Sequence, residues 1–531
     1  MPEWRPFRIV GSVEAVAKTP SLLRRNDTAK RRRISTELAI KAFFGSNALV
    51  AIVVLALITI FLFREGFGFF GQNLKNIRLY RRAGLEFVDI VRAQAEKHTA
   101  LSRQLNEIRT QETKAGSDEM TLQGFDQFST AFSDAADELN ALVSDTGDQA
   151  LALRESLLLA TGQARESDSS MTDDTSEQKV AAPLDEAQAI AALKSGATKF
   201  TQLADSLKAK VGDLLNATPH LKNAKARGAL EKWKTKTRDY LAHLPAASQQ
   251  LREWNPNNPV PAYRAITSFL FGRDWITASF WQDWYGIIPL LVGSILVSVV
   301  ALVIAVPLGV SAAIYVSEVA TRTEKSLIKP YIEFISAIPS VVLGFFGIAV
   351  VGEAVRMLSH ASFLQWVPFF PISERLNVFT AGSLLALMAV PTIFTLAEDA
   401  LRNVPRGFKE ASYALGANRL QTIARVLVPA SLSGIISAIL LGLGRVIGET
   451  MVVLLCAGNR IAIPDFTQGL GAFFQPVHTM TGIIAQEMGE VVRSSIHYRA
   501  LFMVGLVLFA LTLAINYVAQ KLVARYRMSI G

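Results

Sequence analysis

The chain has 531 residues, 50% of them hydrophobic, and 54 Lys and Arg against 45 Asp and Glu give a net charge of +9. That apolar share, with a positive mean hydropathy, excludes a purely water-soluble domain and points to a membrane protein with room for a separate polar domain. A lone cysteine, Cys456, excludes a disulfide framework and a thiol metal site, and the 6 histidines show no HxxxH or HxH grouping that would support a metal centre.

The first segment, 1–41, is a basic arm in which Arg24, Arg25, Lys30 and Arg31 to Arg33 outweigh Glu3, Glu14, Asp27 and Glu37. An apolar run follows about ten residues later, so the basicity reads as a cytoplasmic flank and not as a nucleic-acid face. No nucleic-acid partner is expected. The run Ala42 to Phe63 is the first predicted transmembrane helix. A cleavable leader is not expected, because this run begins far from Met1 and no small-residue cleavage site follows it.

Residues 64–266 form a polar block that is close to neutral. Helical periodicity covers about Leu79 to Lys114, Met120 to Gly162, Asp185 to Leu215 and Ala224 to Leu251. In the first of these, Leu85, Val88, Val91, Leu101, Leu105 and Ile108 recur at threes and fours. Gly116-Ser-Asp and Thr218-Pro-His read as turns, and Ser167 to Pro183 is too polar to pack. Four long helices of modest hydrophobicity predict an up-down bundle or two long hairpins, closed by the Pro- and Asn-rich segment Trp254 to Pro261. The first of these helices is also readable as a continuation of span one.

Residues 267–531 hold five further predicted spans: Gly286 to Val316, Tyr331 to Val355, Val378 to Leu396, Leu432 to Ala457 and Leu501 to Val518. Pro307 marks an expected kink in the second span; Pro339 lies in the first half of the third and Pro391 interrupts the fourth. Basic residues alternate with the spans: Arg322, Lys325 and Lys329; then Arg402, Arg406, Lys409, Arg419 and Arg425; then Lys521, Arg525 and Arg527. With both termini cytoplasmic, every basic loop falls inside and the polar block falls outside. The predicted fold is therefore all-α: a polytopic, six-span membrane protein with a large external helical insert.

The fifth span carries Arg445 and Glu449 in Gly-Arg-Val-Ile-Gly-Glu-Thr450. Each charge costs roughly 2.5–3.5 kcal/mol on insertion scales, so a functional site is the default reading. Spacing by four predicts one shared helix face and partial mutual neutralisation. An ion pair that only fixes helix packing is the structural alternative. Gly444 and Gly448 make a GxxxG step beside the charges, open to close approach by another helix. The run Gly442-Leu-Gly444-Arg-Val-Ile-Gly448 has GxGxxxG spacing inside a span, so it is no dinucleotide loop; no GxxxxGK[ST] occurs in the chain. ATP hydrolysis by the P-loop route is thereby excluded, and the chain reads as no enzyme and as needing no cofactor.

Between the fourth and fifth spans lies Glu410-Ala411-Ser-Tyr-Ala-Leu-Gly416, then Val426-Leu-Val428-Pro429. This reads as a helix, a glycine corner and a second short helix on the cytoplasmic side, suited to docking in another protein's groove. The spacing resembles the EAA coupling loop of ABC importer permeases, here spanning 399–429, with Ser412 for the second alanine and valines for the isoleucine and leucine. Arg445-Val-Ile-Gly-Glu-Thr-Met451 is similar to the signature of phosphate-specific permeases of the PstC type, in which alanine is usual at Val446. Ile288-Pro-Leu-Leu-Val-Gly-Ser, the block from Lys329 to Gly347, and Glu398-Asp-Ala-Leu-Arg-Asn-Val-Pro405 resemble other blocks of that family. The likeness covers roughly Thr267 to Arg527 strongly and Ala42 to Phe63 weakly, and leaves the external block uncovered.

The resemblance implies a type I ABC importer permease that brings inorganic phosphate inward across the bacterial inner membrane. The implied partners are a PstA-like second permease, a PstB-like ATPase dimer and a PstS-like phosphate-binding protein. Arg445, Glu449 and Thr450 would line the substrate pathway, and Glu410, Ala411, Gly416 and Pro429 would couple to the ATPase. Glu333 has two readings, an interfacial residue bonded to Lys329 or a coupling residue. Glu398 and Asp399 are expected to cap the fourth span, with contact to the ATPase an equal alternative for Asp399. Permeases for phosphite, phosphonate or sulfate are the nearest rival reading, and a membrane sensor using the external bundle is the more distant one.

Overall fold

The computed structural model describes residues 22–114, 119–160 and 185–526, apart from 278, 280, 365 and 368. Most of the basic arm, the Gly116 turn and the Ser167 to Pro183 linker lie outside the described residues. The chain divides into two compact units, 1–64 and 65–531. In the first unit the backbone is helical from Leu22, and the side chains of Leu49, Ile52, Leu55 and Ile58 are exposed along the apolar run. That helix, α1 (Leu22–Arg82), continues without a break past the predicted end of span one.

In the second unit, Gly84 at φ +80° ends the helical path and turns the chain into α2 (Leu85–Lys114). Only glycine takes that backbone conformation without strain, and a Cβ there would also meet Leu193 Cδ1 at 2.4 Å. Four more helices follow: α3 (Glu119–Asp134), α4 (Asp137–Ala160), α5 (Glu186–Asn216) and α6 (Ala224–Glu253). Asp185 caps α5 and Asn223 caps α6 through their side chains. The helix predicted over Met120 to Gly162 is two helices, broken at Ala135–Ala136 with no glycine or proline to mark the place. α2, α4, α5 and α6 close a four-helix bundle on Phe87, Leu153, Phe200 and Trp233, and α3 packs on α2.

One buried polar group in the bundle makes a testable demand. The His98 ring stacks on Phe132 at 4.2 Å, its Nε2 lies 2.7 Å from the Phe132 carbonyl, and Tyr240 meets its edge. The short contact to an acceptor puts the proton on Nε2, and Nδ1 has no partner. Burial holds the imidazole pKa below its ordinary value of 6.5, so the folded bundle keeps it neutral. Below about pH 6.5 the unfolded chain binds a proton that the folded chain refuses, so this contribution is intact above that pH and stability falls as the pH drops. His98→Phe keeps the stack and is expected to flatten that decline in thermal unfolding scans of the detergent-solubilised chain.

The bundle returns to the membrane part through α7 (Tyr263–Leu270) and a two-stranded antiparallel ribbon, β1 (Trp275–Ile276) with β2 (Trp284–Tyr285). This ribbon is a small departure from an all-α architecture. Between its strands, Trp281 donates from Nε1 to Asp89 at 2.9 Å and lies under the Arg92 guanidinium at 3.8 Å. Asp89 also accepts from Tyr80, so one carboxylate ties the ribbon to the base of the bundle.

The membrane part then runs through α8 (Ile288–Ile314), α9 (Arg322–Ala337), α10 (Ser340–Phe346), α11 (Gly352–Ser359), α12 (Val378–Arg402), α13 (Arg406–Ala414), α14 (Arg419–Thr422), α15 (Val428–Gly448), α16 (Met451–Cys456), α17 (Met480–Glu487) and α18 (Ile496–Tyr526). Among the described residues, six helical segments are long and apolar enough to cross a membrane: Ile40–Arg82, Ile288–Val319, Ser340–Ser359, Val378–Arg402, Arg419–Gly448 and Ile496–Arg525. The third starts nine residues after the predicted Tyr331. Ile338, forced into an extended conformation by the proline after it, separates α9 from α10. α8 and α12 pack along each other at the centre on Val297, Ala301, Ala305, Leu385 and Ala389, and α15 lies against α12.

Candidate functional site

The fifth span does not run unbroken to Ala457. α15 stops at Gly448, Glu449 is extended at φ −72° and ψ 135°, and α16 starts afresh at Met451. The break frees the Glu449 carbonyl, and Thr481 Oγ1 donates to it at 2.8 Å. The Glu449 carboxylate turns to the new helix and accepts the Met451 N–H at 3.1 Å. Thr481 is placed by α8: Ser294 Oγ accepts the Met480 N–H at 2.9 Å, and Gly293 lets the His478 carbonyl approach so closely that a Cβ would lie 2.1 Å from it. His478 Nδ1 accepts the Thr479 N–H, which leaves Nε2 to donate to Gln486.

This geometry corrects the expected neutralisation of Arg445 by Glu449. With the carboxylate beyond the end of the helix, the two groups form no ion pair among the described residues. Arg445 donates instead from Nη1 to Thr392 Oγ1 on α12, at 3.1 Å. The rest of its guanidinium is exposed, and a Cβ on Gly444 or Gly448 would meet nothing within 4 Å. Among the described residues, no helix fills the GxxxG step. The result is a fixed cation on an open face of a span, one hydrogen bond short of free. Thr450, between the two helices, is half-buried and donates only to the Gly448 carbonyl, at 3.5 Å.

The loop after α12 folds as the glycine spacing predicts. α13 ends at Ala414 with Leu415 as its C-cap, and Gly416 at φ +80° turns the chain. Asn418 and Gln421 then cap α14 reciprocally. Ser412 and Thr422 lock the two helices through a buried hydroxyl pair at 2.9 Å. Lys409 pairs with Glu318 at 2.7 Å and Arg419 donates to the Glu318 carbonyl, which fixes the corner to the end of the second span. Glu410, Ala411 and Tyr413 stay exposed, and Leu415 is 89% exposed at the tip. A π turn, Ile423–Leu427, carries α14 into α15, so Pro429 sits in the first turn of α15 within a helix continuous from Arg419 to Gly448.

Glu398 has a larger structural part than its sequence position suggests. It is only 2% exposed and takes Lys329 of α9 at 2.9 Å and Arg402 at 3.5 Å. Lys329 also approaches Glu333 at 4.0 Å, while Asp399 is exposed. Thr392, Thr481 and Glu398 are residues that sequence reasoning missed or undervalued, because each acquires its partner across the fold.

A family model described as a binding-protein-dependent transport system inner membrane component matches residues 305–528. The probable ABC transporter permease protein YqgH of Bacillus subtilis is 35% identical over 242 residues, which cover 45% of this chain and 72% of that one. The phosphate transport system permease protein PstC of Pasteurella multocida is 31% identical over 272 residues, 50% of this chain and 82% of that one. Among solved structures, an inward-facing MetNI methionine ABC transporter aligns with a TM-score of 0.33 at 20% identity, over 45% of this chain and 94% of that chain, too slight a likeness to argue from. The matched segment takes in Thr392, the glycine corner, Arg445 and the break at Glu449, and the chain belongs to the PstC-type family of ABC transporter permeases.

Proposed function

We propose that this chain is the membrane-spanning permease subunit of an ABC importer that carries inorganic phosphate inward, driven by ATP hydrolysed on a separate chain. The observation that carries this reading is Arg445: an always-charged guanidinium, held by one threonine, on an open face of an apolar span. An oxyanion leaving water needs such a group, and a planar fork can grip two of its oxygens at once. Glu449 and Thr450 stand one helical turn further on, at the break, where the carboxylate repels an anion that lingers. A grip weakened in this way lets the ion leave.

The open Gly444–Gly448 face supports a PstA-like second permease as the neighbour that closes the pathway. The exposed corner of Glu410, Ala411 and Leu415 supports docking of a PstB-like ATPase, and a PstS-like binding protein would deliver phosphate from outside. The basic loops favour the inner membrane with both termini cytoplasmic and with the bundle, 64–266, in the periplasm. Uptake of radiolabelled phosphate by the reconstituted complex tests the substrate. Phosphate should compete best; stronger competition by phosphite, a phosphonate or sulfate would reassign the anion.

Gly416→Pro tests the coupling corner. Proline fixes φ near −65° where the chain needs +80°, and it removes the N–H that Gly416 donates to the Tyr413 carbonyl at 2.9 Å. The expected result is an assembled complex whose ATPase no longer responds to transport. Coupling that persists at the parent level would count against the docking role of this corner.

A further inference from the structure

The short helix α7 (Tyr263–Leu270) is buried on one side and bare on the other. Ala265 and Phe269 face inward, where Phe269 meets Phe69 edge-on in a buried cluster that also holds Ile287 and Leu290. Tyr263, Ile266 and Leu270 recur at threes and fours on the outer side, and all are exposed; Phe271, just beyond, is 71% exposed. A bare apolar row of this kind on a soluble surface would be a liability.

Its depth is fixed by hydrogen bonds to a span. Ile287 N–H donates to the Phe269 carbonyl at 2.9 Å and Ile288 N–H to the Gly272 carbonyl at 3.3 Å, so the end of α7 lies level with the first turn of α8. The start of α8 therefore sets it at the outer edge of the hydrocarbon, where aromatic side chains and surface-lying amphipathic helices settle.

Polar chemistry sits beside the apolar row. A cavity of about 490 Å³ is bordered by Arg81, Glu86, Arg264, Ser268 and Trp284. Arg81 grips Glu86 through two bonds at 2.7 and 2.9 Å, and Arg264 stands 3.9 Å from the same carboxylate. Two guanidiniums share one carboxylate, which leaves one positive charge facing the cavity.

We infer that this face is a phospholipid site: the phosphodiester of an outer-leaflet lipid lies against Arg264 at the cavity, and its acyl chains cover Tyr263, Ile266, Leu270 and Phe271. The apolar row takes the chains and the surplus guanidinium takes the headgroup. A protein partner would account for the row but would leave the depth of α7 in the membrane without a reason. The base of the bundle, joined to α7 by a few residues, is thereby moored to the lipid surface.

The test uses the full chain in intact cells. p-Benzoylphenylalanine is placed at Phe271 and, as a control, at the exposed Met120 of the bundle. After irradiation the adducts are identified by mass spectrometry. A phospholipid adduct at position 271 and none at 120 is expected. A polypeptide cross-linked at 271, or a lipid yield there no higher than at 120, would overturn the proposal. Arg264→Glu, with the photoprobe at 271, is expected to lower the lipid adduct several-fold; an unchanged yield would remove the headgroup site.

Discussion

Arg445→Ala is expected to lower phosphate uptake by about 10²–10³-fold in a complex that still assembles. A two-pronged grip on an anion is worth two charge-assisted hydrogen bonds, about 3–4 kcal/mol together once partial solvation is allowed for. Arg445→Lys keeps the charge but loses the planar fork, so it should fall between alanine and the parent. Thr392→Val removes the one side-chain bond that aims the guanidinium, at 3.1 Å, without changing bulk. It should raise KM for phosphate about fivefold with little change in maximal rate, and Thr392→Ser should restore the parent KM. Uptake by Arg445→Ala at the parent rate, with partners bound, would rule out a place for this residue in the pathway.

The second large effect concerns stability. Glu398 is 2% exposed, and Lys329 at 2.9 Å is the nearer of its two cations. Lys329→Met leaves the carboxylate buried against Arg402 alone, at 3.5 Å. The cost of stripping one partner from a buried charge runs to about 3–5 kcal/mol, and the remaining arginine brings the expected loss down to about 2 kcal/mol. The double variant Lys329→Met with Glu398→Met removes the charge along with its partner. It should recover most of that loss, because an apolar pair of similar volume is often neutral or better. Thermal unfolding of the detergent-solubilised chain reads both. Equal melting temperatures for the parent and the single variant would mean that Lys329 is not a stabilising partner.

The sequence made the spans legible because length and apolarity are local properties. Pro339 lies inside the third predicted span, yet the boundary it creates falls nine residues after the predicted start, since apolar residues continue on both sides of Ile338. Gly416 was legible for the opposite reason: a glycine at fixed spacing between two amphipathic stretches has one conformational meaning, and the observed φ of +80° is that meaning. The break at Gly448–Thr450 was not legible. Glycine, glutamate and threonine within an apolar run are compatible with a continuing helix, and the hydroxyl that meets the carbonyl freed at the break comes from Thr481, about thirty residues later. The same holds for Arg445. Its spacing to Glu449 suggested a local pair, whereas its partner, Thr392, comes from another span. Ala135–Ala136 carries no turn residue at all, so the split of α3 from α4 had no signal to read.

The uninterrupted helix from Arg419 to Gly448 has a mechanical consequence. A proline in a helix normally makes a joint; here Pro429 falls in the first turn after the π turn Ile423–Leu427, and the helical path stays whole. Arg419 and Arg445 are separated by about 26 residues, roughly 39 Å of rod at 1.5 Å per residue. Pivoted at its cytoplasmic foot, such a lever turns a tilt of about 5° into a displacement of roughly 3 Å at the guanidinium, about the length of the hydrogen bond that holds it. In the proposed importer, a tilt of that size would be enough to part Arg445 from Thr392.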